Sequence, residues 1–508
     1  MFENDKCVAK TQNNQNYNTV ENTDVHNTEI NQSNKKIDVF FDEIGYTRYQ
    51  YFLLFVFIFV FFADGTEVLV ITLILKSLEN EWKITSLEKS ILASSAFVGL
   101  LIGSLLTAKY IDKYGRKIFL SLGGCTVILF GFLCSFSNDV TQLFFLRVLT
   151  GIGIGSQIPA ATNLAAESKY YFIIKDIPSY NRSIFLANIW IAFPVGELYI
   201  CLVGMYIMPN FEINQWRILL LYCLIPVIIC TIFSFFVMES GRFLLTNGKY
   251  EDARLVFEKL AKYGGIQFNN EKMEEIIDES IKNPVNKYES SFSSLFDKRF
   301  LKLSILTWVI WFVGSFCLYG TIYMLPQILD TVSELHATQQ GNMFKDIIIS
   351  NLISLPKTLL SGFLSNIPCL GRKYSLCYSF VMVVILEIFL IFDLKHVHIY
   401  SGFIKLLAGL NMGIIKVYST EAYPTKIRGM GYGTGHSISR LAGCIIPFAC
   451  ELARSLFGIL GPCYCIFVLS SFSAFCCHLL PFETLGRVLD KVDDSVELTD
   501  KECKIIIS

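Results

Sequence analysis

The sequence predicts an all-α membrane protein with twelve transmembrane helices, arranged as two six-helix halves, and with both termini in the cytosol. Three observations support this prediction: an apolar composition, twelve apolar segments of membrane-spanning length, and an internal repeat. Of the 508 residues, 53% are hydrophobic and only 17% are charged, whereas soluble domains contain about 25% charged residues. The formal net charge is -1, so the composition does not favour a nucleic-acid partner.

The apolar residues form two series of six segments, each close to the roughly 20 residues that a bilayer span requires. The predicted spans are 51–75, 89–109, 117–136, 140–165, 183–205 and 217–237, then 301–324, 346–366, 374–394, 397–418, 429–451 and 460–482. They define an N-terminal half at 51–237 and a C-terminal half at 301–482. Residues 1–50 are predicted to be a cytosolic, largely disordered tail with an amphipathic lead-in, because they are rich in Asn, Thr, Lys and Glu. Residues 238–300 are predicted to form a cytosolic central loop, and 483–508 a second cytosolic tail.

The distribution of Lys and Arg over the short loops predicts the orientation, because cytosolic loops contain an excess of basic residues. One side of the membrane receives Lys109, Lys113, Arg116 and Lys117; Lys169, Lys175 and Arg182; Arg372 and Lys373; and Lys426 and Arg428. The opposite loops contain few basic residues, and the exception is the first loop with Lys76 and Lys83. The basic side also holds both termini and is therefore predicted to face the cytosol.

Three landmarks recur in the two halves at a nearly constant spacing of 255 to 258 residues. Residues 145–155 (FLRVLTGIGIG) align with 403–413 (FIKLLAGLNMG), 62–66 with 317–321, and 114–117 with 370–373. Unrelated apolar helices would not share register at three landmarks, so the chain is predicted to contain two copies of one six-helix unit. Duplicated units of this kind are typical of alternating-access transporters, which bind substrate near the midplane between the halves.

The loop after the second span resembles a known family motif. Residues 112–117 (DKYGRK) are similar to the loop motif of the major facilitator superfamily. Ala108 stands where that family usually has Gly, and Pro368 stands where the second copy would have Asp. The resemblance implies the twelve-helix fold of that superfamily.

Within the superfamily, the chain resembles the branch that contains synaptic-vesicle-glycoprotein-related proteins and bacterial transporters of nicotinate and other organic ions. The matching segments are 43–50, 63–67, 147–155, 190–197, 308–311, 421–425, 428–440 and 480–487. Together they extend over about residues 38–490, and their order and spacing are more specific than any single segment.

Acidic residues inside the spans are the first candidate functional residues, because a charge at the centre of a span costs roughly 2.5–3.5 kcal/mol on insertion scales. Asp64 and Glu67 lie on one face of the first span, and Glu197 lies deep in the fifth. A carboxyl in a poorly solvated site can load and release a proton as access alternates, so these three are predicted proton-coupling residues. The alternative is a permanent ion pair with a buried base such as Arg147. For Glu387, in the ninth span, we expect a structural pairing.

Basic residues inside the spans are candidates for binding an anion, since Arg offers a planar fork to a carboxylate and Lys a point charge. Arg440 in the eleventh span and Lys357 in the eighth are the leading candidates, and an ion pair with one of the three acids is the alternative. Aromatic side chains at similar depth complete the predicted substrate site, with helix packing as their alternative role: Tyr319, Trp311 and Trp190.

Charged residues at the cytosolic helix ends are predicted to form a gate that holds the inner face shut in one state. Exposed ion pairs contribute about 0–1 kcal/mol each, which suits a latch that must open. The predicted gating residues are Asp112, Gly115, Arg116, Lys117, Arg147, Glu167, Arg182, Glu239, Arg242, Glu421, Arg428, Glu483 and Arg487. Among them Arg147 lies within the fourth span, where it is predicted to be a gate or a packing element.

The sequence contains no pattern for a metal, a cofactor or a catalytic site. Most of the 16 cysteines lie inside apolar segments and do not form clustered CxxC pairs. The G-x-G-x-G run at 151–155 lies in a predicted span without a preceding strand, so it predicts close helix contact and not a nucleotide loop. We therefore expect no cofactor, no metal ion and no enzymatic activity.

The leading functional hypothesis is a proton-coupled secondary active transporter of a small organic anion, in the plasma membrane or an intracellular vesicle membrane. Its partners would be the anion, protons and the lipid bilayer. The resemblance implies a vitamin-type substrate such as pantothenate or nicotinate. A sugar facilitator is one alternative, although the seventh span reads GSFCLYG at 314–320 and lacks the Gln-Gln and Ser-Gly cluster of sugar carriers. A membrane trafficking or docking protein without transport is the other, although it would usually have an enlarged outer loop.

Overall fold

The computed structural model describes residues 47–167, 190–209, 215–265, 270–282, 292–336, 343–368, 370–424 and 427–485. Within these ranges the chain is almost entirely helical and has no β-strand, so the predicted all-α class is confirmed. The predicted disordered tail at 1–50 and the tail at 483–508 lie mostly outside the described residues.

The described part of the N-terminal half consists mainly of long helices. They are α1 (Arg48–Trp82), α2 (Ser86–Tyr114), α3 (Arg116–Cys134), α4 (Val140–Glu167), α5 (Ala192–Ile207) and α6 (Gln215–Ser234). The Thr85 hydroxyl caps α2 by accepting the backbone N–H of Glu88, while the Glu88 carboxylate accepts the Thr85 N–H. Gly115 separates α2 from α3 at a φ of 99°, a value that favours glycine.

Three helices lie in the region that the sequence predicts as a polar loop. They are α7 (Gly241–Thr246), α8 (Tyr250–Gly264) and α9 (Asn270–Lys282). Their apolar faces form one cluster that includes the buried side chains of Ala253, Phe257 and Met273. This region therefore has a small core of its own.

The C-terminal half repeats the pattern of long helices, and one of its predicted spans is divided. Its helices are α10 (Lys298–His336), α11 (Met343–Ser354), α12 (Lys357–Leu364), α13 (Gly371–Phe392), α14 (Val397–Ala422), α15 (Arg428–Phe457) and α16 (Gly461–His478). The break between α11 and α12 lies at Pro356. Proline cannot donate the backbone hydrogen bond that a continuous helix would require there.

Ten segments of the described chain are long and apolar enough to cross a membrane. One of them, Arg428–His478, contains both α15 and α16, and another, Met343–Leu364, contains α11 and α12. Helix α5 is apolar but shorter, and residues 183–189 of the predicted fifth span lie outside the described residues. The protein is therefore a multi-pass helical membrane protein.

Glycines allow α4 to pack closely on its neighbours. A Cβ atom added at Gly151 would lie 2.4 Å from the Ala96 carbonyl oxygen of α2, and one at Gly155 would lie 2.4 Å from that of Leu100. One at Gly153 would lie 2.6 Å from the Gly123 carbonyl oxygen of α3. The prediction that this glycine run permits close helix contact is confirmed.

Several contacts join the two halves directly. The Lys76 ammonium at the end of α1 lies 2.6 Å from the Asp330 carboxylate near the end of α10. The Phe97 ring of α2 lies against the Tyr319 ring of α10, with centroids 4.9 Å apart. The contact with Asp330 explains how Lys76 is accommodated in a loop on the side of the membrane that the sequence predicts to be poor in basic residues.

Candidate functional site

Among the residues that the structure describes, eight charged side chains on the membrane-spanning helices are at most 3% exposed. They are Asp64, Glu67, Arg147, Glu197, Lys357, Glu387, Lys405 and Arg440. Because burying an unpaired charge is costly, the partners of these residues indicate what each of them does. All but Glu387 belong to one closed pair and two larger groups.

Glu67 and Arg147 form the closed pair. The Arg147 Nη1 donates to the Glu67 Oε2 at 2.5 Å, and both side chains are almost fully buried between α1 and α4. Both residues belong to the N-terminal half. This geometry corresponds to the permanent pairing that was the alternative for Glu67, and the Arg147 side chain is buried in that contact.

The first larger group, which we call the Asp64 group, consists of Asp64 of α1, Lys416 of α14 and Arg440 of α15. Arg440 and Lys416 are both close enough to Asp64 to interact with it electrostatically. The Arg440 Nη1 also donates to the Tyr319 hydroxyl at 3.2 Å. Within the described residues, the Asp64 Oδ1 has no hydrogen-bond partner. The group therefore places two predicted substrate residues, Arg440 and Tyr319, beside a predicted proton-coupling acid.

Aromatic rings border the Asp64 group. The Lys416 Nζ lies 3.2 Å from the ring centroid of Trp190, which is a close cation–π contact. The Trp190 ring in turn packs on Phe61, with centroids 4.2 Å apart. Trp190, predicted from the sequence as a substrate residue, thus lies beside the basic side chains of this group.

The second group, which we call the Glu197 group, consists of Glu197 of α5, Lys357 of α12 and Lys405 of α14. The Glu197 Oε2 lies 3.5 Å from the Lys405 Nζ and 4.0 Å from the Lys357 Nζ. Lys405 also donates a hydrogen bond to the Asn351 side-chain oxygen. Glu197 and Lys357, one predicted for proton coupling and the other for substrate binding, therefore lie in one cluster.

Two glycines bring the backbones of α1 and α5 together at the level of these groups. A Cβ atom at Gly65 would lie 2.0 Å from the Phe193 carbonyl oxygen, and one at Gly196 would lie 2.1 Å from that of Phe62. Each glycine is adjacent in sequence to one of the two acids, Asp64 or Glu197. Close contact of the two helices therefore fixes the relative position of the two acids.

Each larger group contains two basic side chains and one acid. If all of these groups are ionised, each group has a formal charge of +1 in surroundings that exclude most water. An opposite charge placed there would be attracted far more strongly than at the surface. The arrangement can therefore accept an anion at either group.

Trp311 lies in a different environment from Trp190. Its side chain is fully buried, its Nε1 donates to the Ser419 hydroxyl at 3.0 Å, and its ring packs on Tyr432 and His436. These contacts correspond to the packing role that was the alternative for this residue.

The gating residues of the C-terminal half meet at the start of α13. The Glu483 carboxylate accepts the backbone N–H groups of Arg372 and Lys373 at 2.7 and 2.8 Å. The Arg372 guanidinium also donates to Glu421 at 3.0 Å. Gly371 precedes them at a φ of 61°, and a Cβ atom there would lie 2.4 Å from the Glu483 carboxylate. The predicted residues Glu421 and Glu483 are thus brought together, and Arg372, which was not predicted as a gating residue, joins them.

The gating residues of the N-terminal half show shorter-range contacts. The Arg116 guanidinium lies 3.2 Å from the Asp112 carboxylate one turn earlier, and Lys117 follows in the first turn of α3. After α6, the Glu239 carboxylate accepts the N–H of the next residue, Ser240. In the C-terminal half, the Arg428 Nε donates to the Tyr423 carbonyl at 3.4 Å. The remaining predicted gating residues include Arg242 in the first turn of α7, and Arg182 and Arg487, which lie outside the described residues. Glu167 ends α4, but its side chain also lies outside the described residues.

Sequence reasoning missed Lys416 and His436. Lys416 lies three helical turns after Lys405 on α14, hence on the same face, and His436 precedes Arg440 by one turn on α15. The Arg440 guanidinium and the Lys416 ammonium are both close enough to His436 to interact with it electrostatically. The signal that identifies Lys416 is the same as for the others: a charged residue within an apolar segment.

Glu387 of α13 corrects one expectation. Its side chain is fully buried, but neither carboxylate oxygen has a hydrogen-bond partner among the described residues. The expected structural pairing is therefore not found in the described part of the chain. The thiols of Cys463 on α16 and Cys317 on α10 are near enough to interact with Glu387 electrostatically, but they cannot replace a basic partner.

A helical bundle of this type, with ion groups buried between its two halves, defines a membrane transporter. The chain belongs to the family described as "Sugar (and other) transporter", whose model matches residues 8–495. Members of this family are transporters and not enzymes. The predicted membership in the major facilitator superfamily is confirmed.

Individual relatives agree with the predicted branch. The chain is 26% identical over 407 residues to the niacin transporter NiaP of Acinetobacter baylyi, covering 79% of this chain and 86% of that protein. It is 25% identical over 478 residues to the synaptic vesicle 2-related protein of Rattus norvegicus, covering 89% of this chain and 81% of that protein. The xylose transporter XylE from E. coli, in a partially occluded inward open conformation, has the same fold, with a TM-score of 0.65 and 18% identity over 87% of this chain and 100% of that chain.

Proposed function

We propose that the protein is a secondary active transporter that moves a small organic anion by alternating access and couples this movement to protons. The observation that supports this most directly is the excess of basic side chains in the Asp64 and Glu197 groups. A formal charge of +1 in each group attracts an anion and repels a cation. An uncharged sugar would leave both excess charges uncompensated in a buried environment.

The proposed membrane arrangement has twelve spans with both termini in the cytosol. Helix α5 serves as the fifth span, α11 and α12 together as the eighth, and α15 and α16 as the last two. This arrangement places the 238–300 region and the Glu483–Arg372 contact on the cytosolic side. The Lys76–Asp330 contact then lies on the outer side, where the mutual compensation of the two charges permits an exception to the basic-inside distribution.

A carboxylate of vitamin size, such as nicotinate or pantothenate, is the substrate we favour. In the Asp64 group, Arg440 and Lys416 would bind the carboxylate by charge-assisted hydrogen bonds. The face of Trp190 and the hydroxyl of Tyr319 lie beside these bases, and the indole ring suits a flat or apolar substrate body. The similarity to a protein named as a niacin transporter agrees with this substrate class.

For proton coupling we propose Asp64 and Glu197, with Glu67 held in its pair with Arg147. When Asp64 accepts a proton, Arg440 and Lys416 lose their anionic neighbour and become available to a substrate carboxylate. When the proton leaves on the other side, Asp64 again competes for the same bases and the substrate is released. Proton binding and anion binding therefore favour each other at this site.

For gating we propose that contacts at the two membrane surfaces open in turn. The Lys76–Asp330 ion pair joins α1 to α10 at the proposed outer side. At the proposed inner side, Glu483, Arg372 and Glu421 connect the start of α13 to the end of α14, and Asp112 and Arg116 form the related pair in the N-terminal half. Each of these ion pairs has at least one partly exposed partner, and such pairs contribute little stability, so they can break during each cycle.

The test is transport by the purified protein in liposomes with an imposed proton gradient. Labelled nicotinate and pantothenate are offered in parallel with labelled glucose and with the cation tetraethylammonium. We expect one of the carboxylates to accumulate when the substrate side is acidic, and Asp64→Asn to abolish this response to pH. Accumulation of glucose without any effect of pH would instead support a sugar facilitator, and selective transport of the cation would contradict the charge argument.

A further inference from the structure

The repeat-related residues Arg147 and Lys405 have opposite partner arrangements. Arg147 of α4 is neutralised within its own half, because α1 supplies Glu67 at hydrogen-bond distance. The spacing that aligns Asp64 with Tyr319 aligns Glu67 with Ile322, a buried apolar residue of α10. Helix α10 therefore supplies no acid at the position where Lys405 would need one.

Lys405 contacts an acid of the other half instead. Its Nζ lies 3.5 Å from the Glu197 Oε2, and Lys357 approaches the same oxygen at 4.0 Å. Both lysines belong to the C-terminal half and Glu197 to the N-terminal half. Any movement of one half against the other must therefore change these distances, whereas the Glu67–Arg147 pair can move as one body.

The contacts within the Glu197 group are loose for a buried ion cluster. Neither distance is a hydrogen bond by the usual limit of about 3.2 Å. Within the described residues, both Glu197 oxygens and the Lys357 Nζ have no hydrogen-bond partner. Buried charges stabilise a structure only when their geometry is close and their hydrogen bonds are complete, so this group is arranged to exchange partners.

We propose that Glu197 is an exchangeable counter-ion, and that Lys405 and Lys357 transfer from Glu197 to the carboxylate of the substrate when Glu197 binds a proton. This inference rests on the proposed function and adds a second position for the substrate: the free carboxylate that Arg440 and Lys416 bind in one step must contact these two lysines in another. One proton forms an O–H bond on Glu197 for each carboxylate that enters. The group has a formal charge of +1 before and after the exchange, so this step moves one proton with one anion and no net charge.

The surroundings of Glu197 are consistent with this exchange. The charged and titratable groups that act on it are Lys357 on α12, Lys405 on α14, Asp64 on α1, Tyr319 on α10 and Cys201 on α5. The only basic residues among these are the two lysines. Protonation of Glu197 therefore removes the negative charge that lies against both lysines. The carboxylate of a substrate is the group that best replaces this charge.

The test compares two modes of transport in liposomes with labelled nicotinate and labelled pantothenate as probes. The variant Glu197→Gln mimics the protonated acid permanently. We expect it to lose accumulation driven by a proton gradient, at least tenfold, while exchange of internal for external probe continues and no longer responds to pH. The variant Lys405→Gln is expected to lose exchange through a tenfold or larger increase in the half-saturating concentration, and Lys405→Arg to restore most of it.

A matched control comes from the repeat-related position. The double variant Glu67→Gln with Arg147→Gln removes an ion pair that is buried as fully as the Lys405–Glu197 contact. The folded fraction of this variant is expected to keep a normal pH response. Size-exclusion profiles and thermal unfolding in detergent identify variants that fail to fold, and Glu197→Asp tests whether a shorter acid restores gradient-driven accumulation.

The outcomes separate this inference from the proposed function. If the unmodified protein accumulates neither probe under a gradient, the proposed function and this inference both fail. If the unmodified protein accumulates a probe, but Glu197→Gln accumulates it with the same pH dependence, the exchange and the coupling role of Glu197 are wrong, while the proposed transport of an organic anion stands. Transport of the amide nicotinamide as effectively as nicotinate would likewise overturn the requirement for a free carboxylate.

Discussion

The two halves of the protein contribute opposite charges to the centre of the bundle. Among the described residues, the N-terminal half supplies the acids Asp64, Glu67 and Glu197 and the base Arg147. The C-terminal half supplies the bases Lys357, Lys405, Lys416 and Arg440 and the acid Glu387. Each half alone would expose or bury charges without partners. The comparison teaches that Asp64 and Glu197 meet basic side chains of the other half, whereas Glu67 pairs with Arg147 of its own half.

This difference separates residues that hold a half together from residues that change partners. A fully buried pair within one half, unlike the partly exposed pairs at the membrane surfaces, can persist through the whole transport cycle, because both of its members move together. A contact across the halves must loosen when the halves rotate, and a substrate or a proton can then take the place of one partner. The following variants test this division, beginning with the largest expected effect.

Arg147→Gln tests the closed pair. The change leaves Glu67 buried without its basic partner, and breaking a buried pair in this way typically costs about 3–5 kcal/mol. We expect a clear decrease in the temperature of unfolding, measured by tryptophan fluorescence in detergent. The double variant Arg147→Met with Glu67→Leu removes both charges and is expected to recover most of the loss. An unchanged unfolding temperature in the single variant would contradict a structural role for this pair.

Arg440→Gln tests the contact across the halves at the Asp64 group. It removes one of two bases near Asp64 and the hydrogen bond to Tyr319. Charge-assisted hydrogen bonds contribute about 1.5–3 kcal/mol, or roughly 10–100-fold in affinity. We therefore expect the KM for the transported carboxylate to rise by about that factor, with little change in unfolding temperature. Tyr319→Phe, which removes only the hydroxyl, serves as the control and should raise KM less.

Gly409→Ala tests the position of Lys357 without changing any charge. A Cβ atom at Gly409 would lie 2.3 Å from the Lys357 Cδ, so the flexible lysine side chain must move. We expect a several-fold increase in KM and a nearly unchanged unfolding temperature, because the displacement acts on the ammonium and not on the helix backbone. Gly429→Ala is the matched control, since a Cβ atom there has nothing within 4 Å. An equal change of KM in the two variants would show that Lys357 does not bind the substrate.

Glu387→Gln is expected to have the smallest effect. This acid lies in the C-terminal half with no hydrogen-bond partner among the described residues, so its charge contributes no pairing energy. We expect normal transport and an unfolding free energy that is unchanged or higher by about 1 kcal/mol or less. A strong loss of transport in this variant would mean that α13 takes part in the cycle.

Much of the fold could be predicted from the sequence, because membrane spans follow from local composition. The apolar segments predicted at 51–75 and 374–394 correspond to α1 and α13 with shifts only at the ends. The three landmarks of the repeat also depend only on residue order. By contrast, hydropathy does not register the division of the eighth span at Pro356, which follows from the missing backbone donor of proline. The helices within 238–300 pack on one another through a shared buried cluster, so composition alone did not predict them.

Partner choice at the site could not be predicted in the same way. Asp64 and Glu67 are one turn apart on α1, and the sequence assigned them one role. The structure places Glu67 against Arg147 of the same half and Asp64 near Arg440 of the other. A rotation of about 60° around the helix axis separates these positions, and the neighbours on either side of α1 decide which base each acid contacts.

The sequence by itself determined that this protein is a duplicated helical membrane protein with ionisable residues in its spans, because hydropathy and repeat register are properties of residue order. Only the tertiary structure decided which charges are paired permanently and which are shared between the halves. The physical reason is that Coulomb energy in a buried site depends on distances of a few ångströms between side chains of different helices, and those distances are set by close helix contacts such as that of Gly65 with α5.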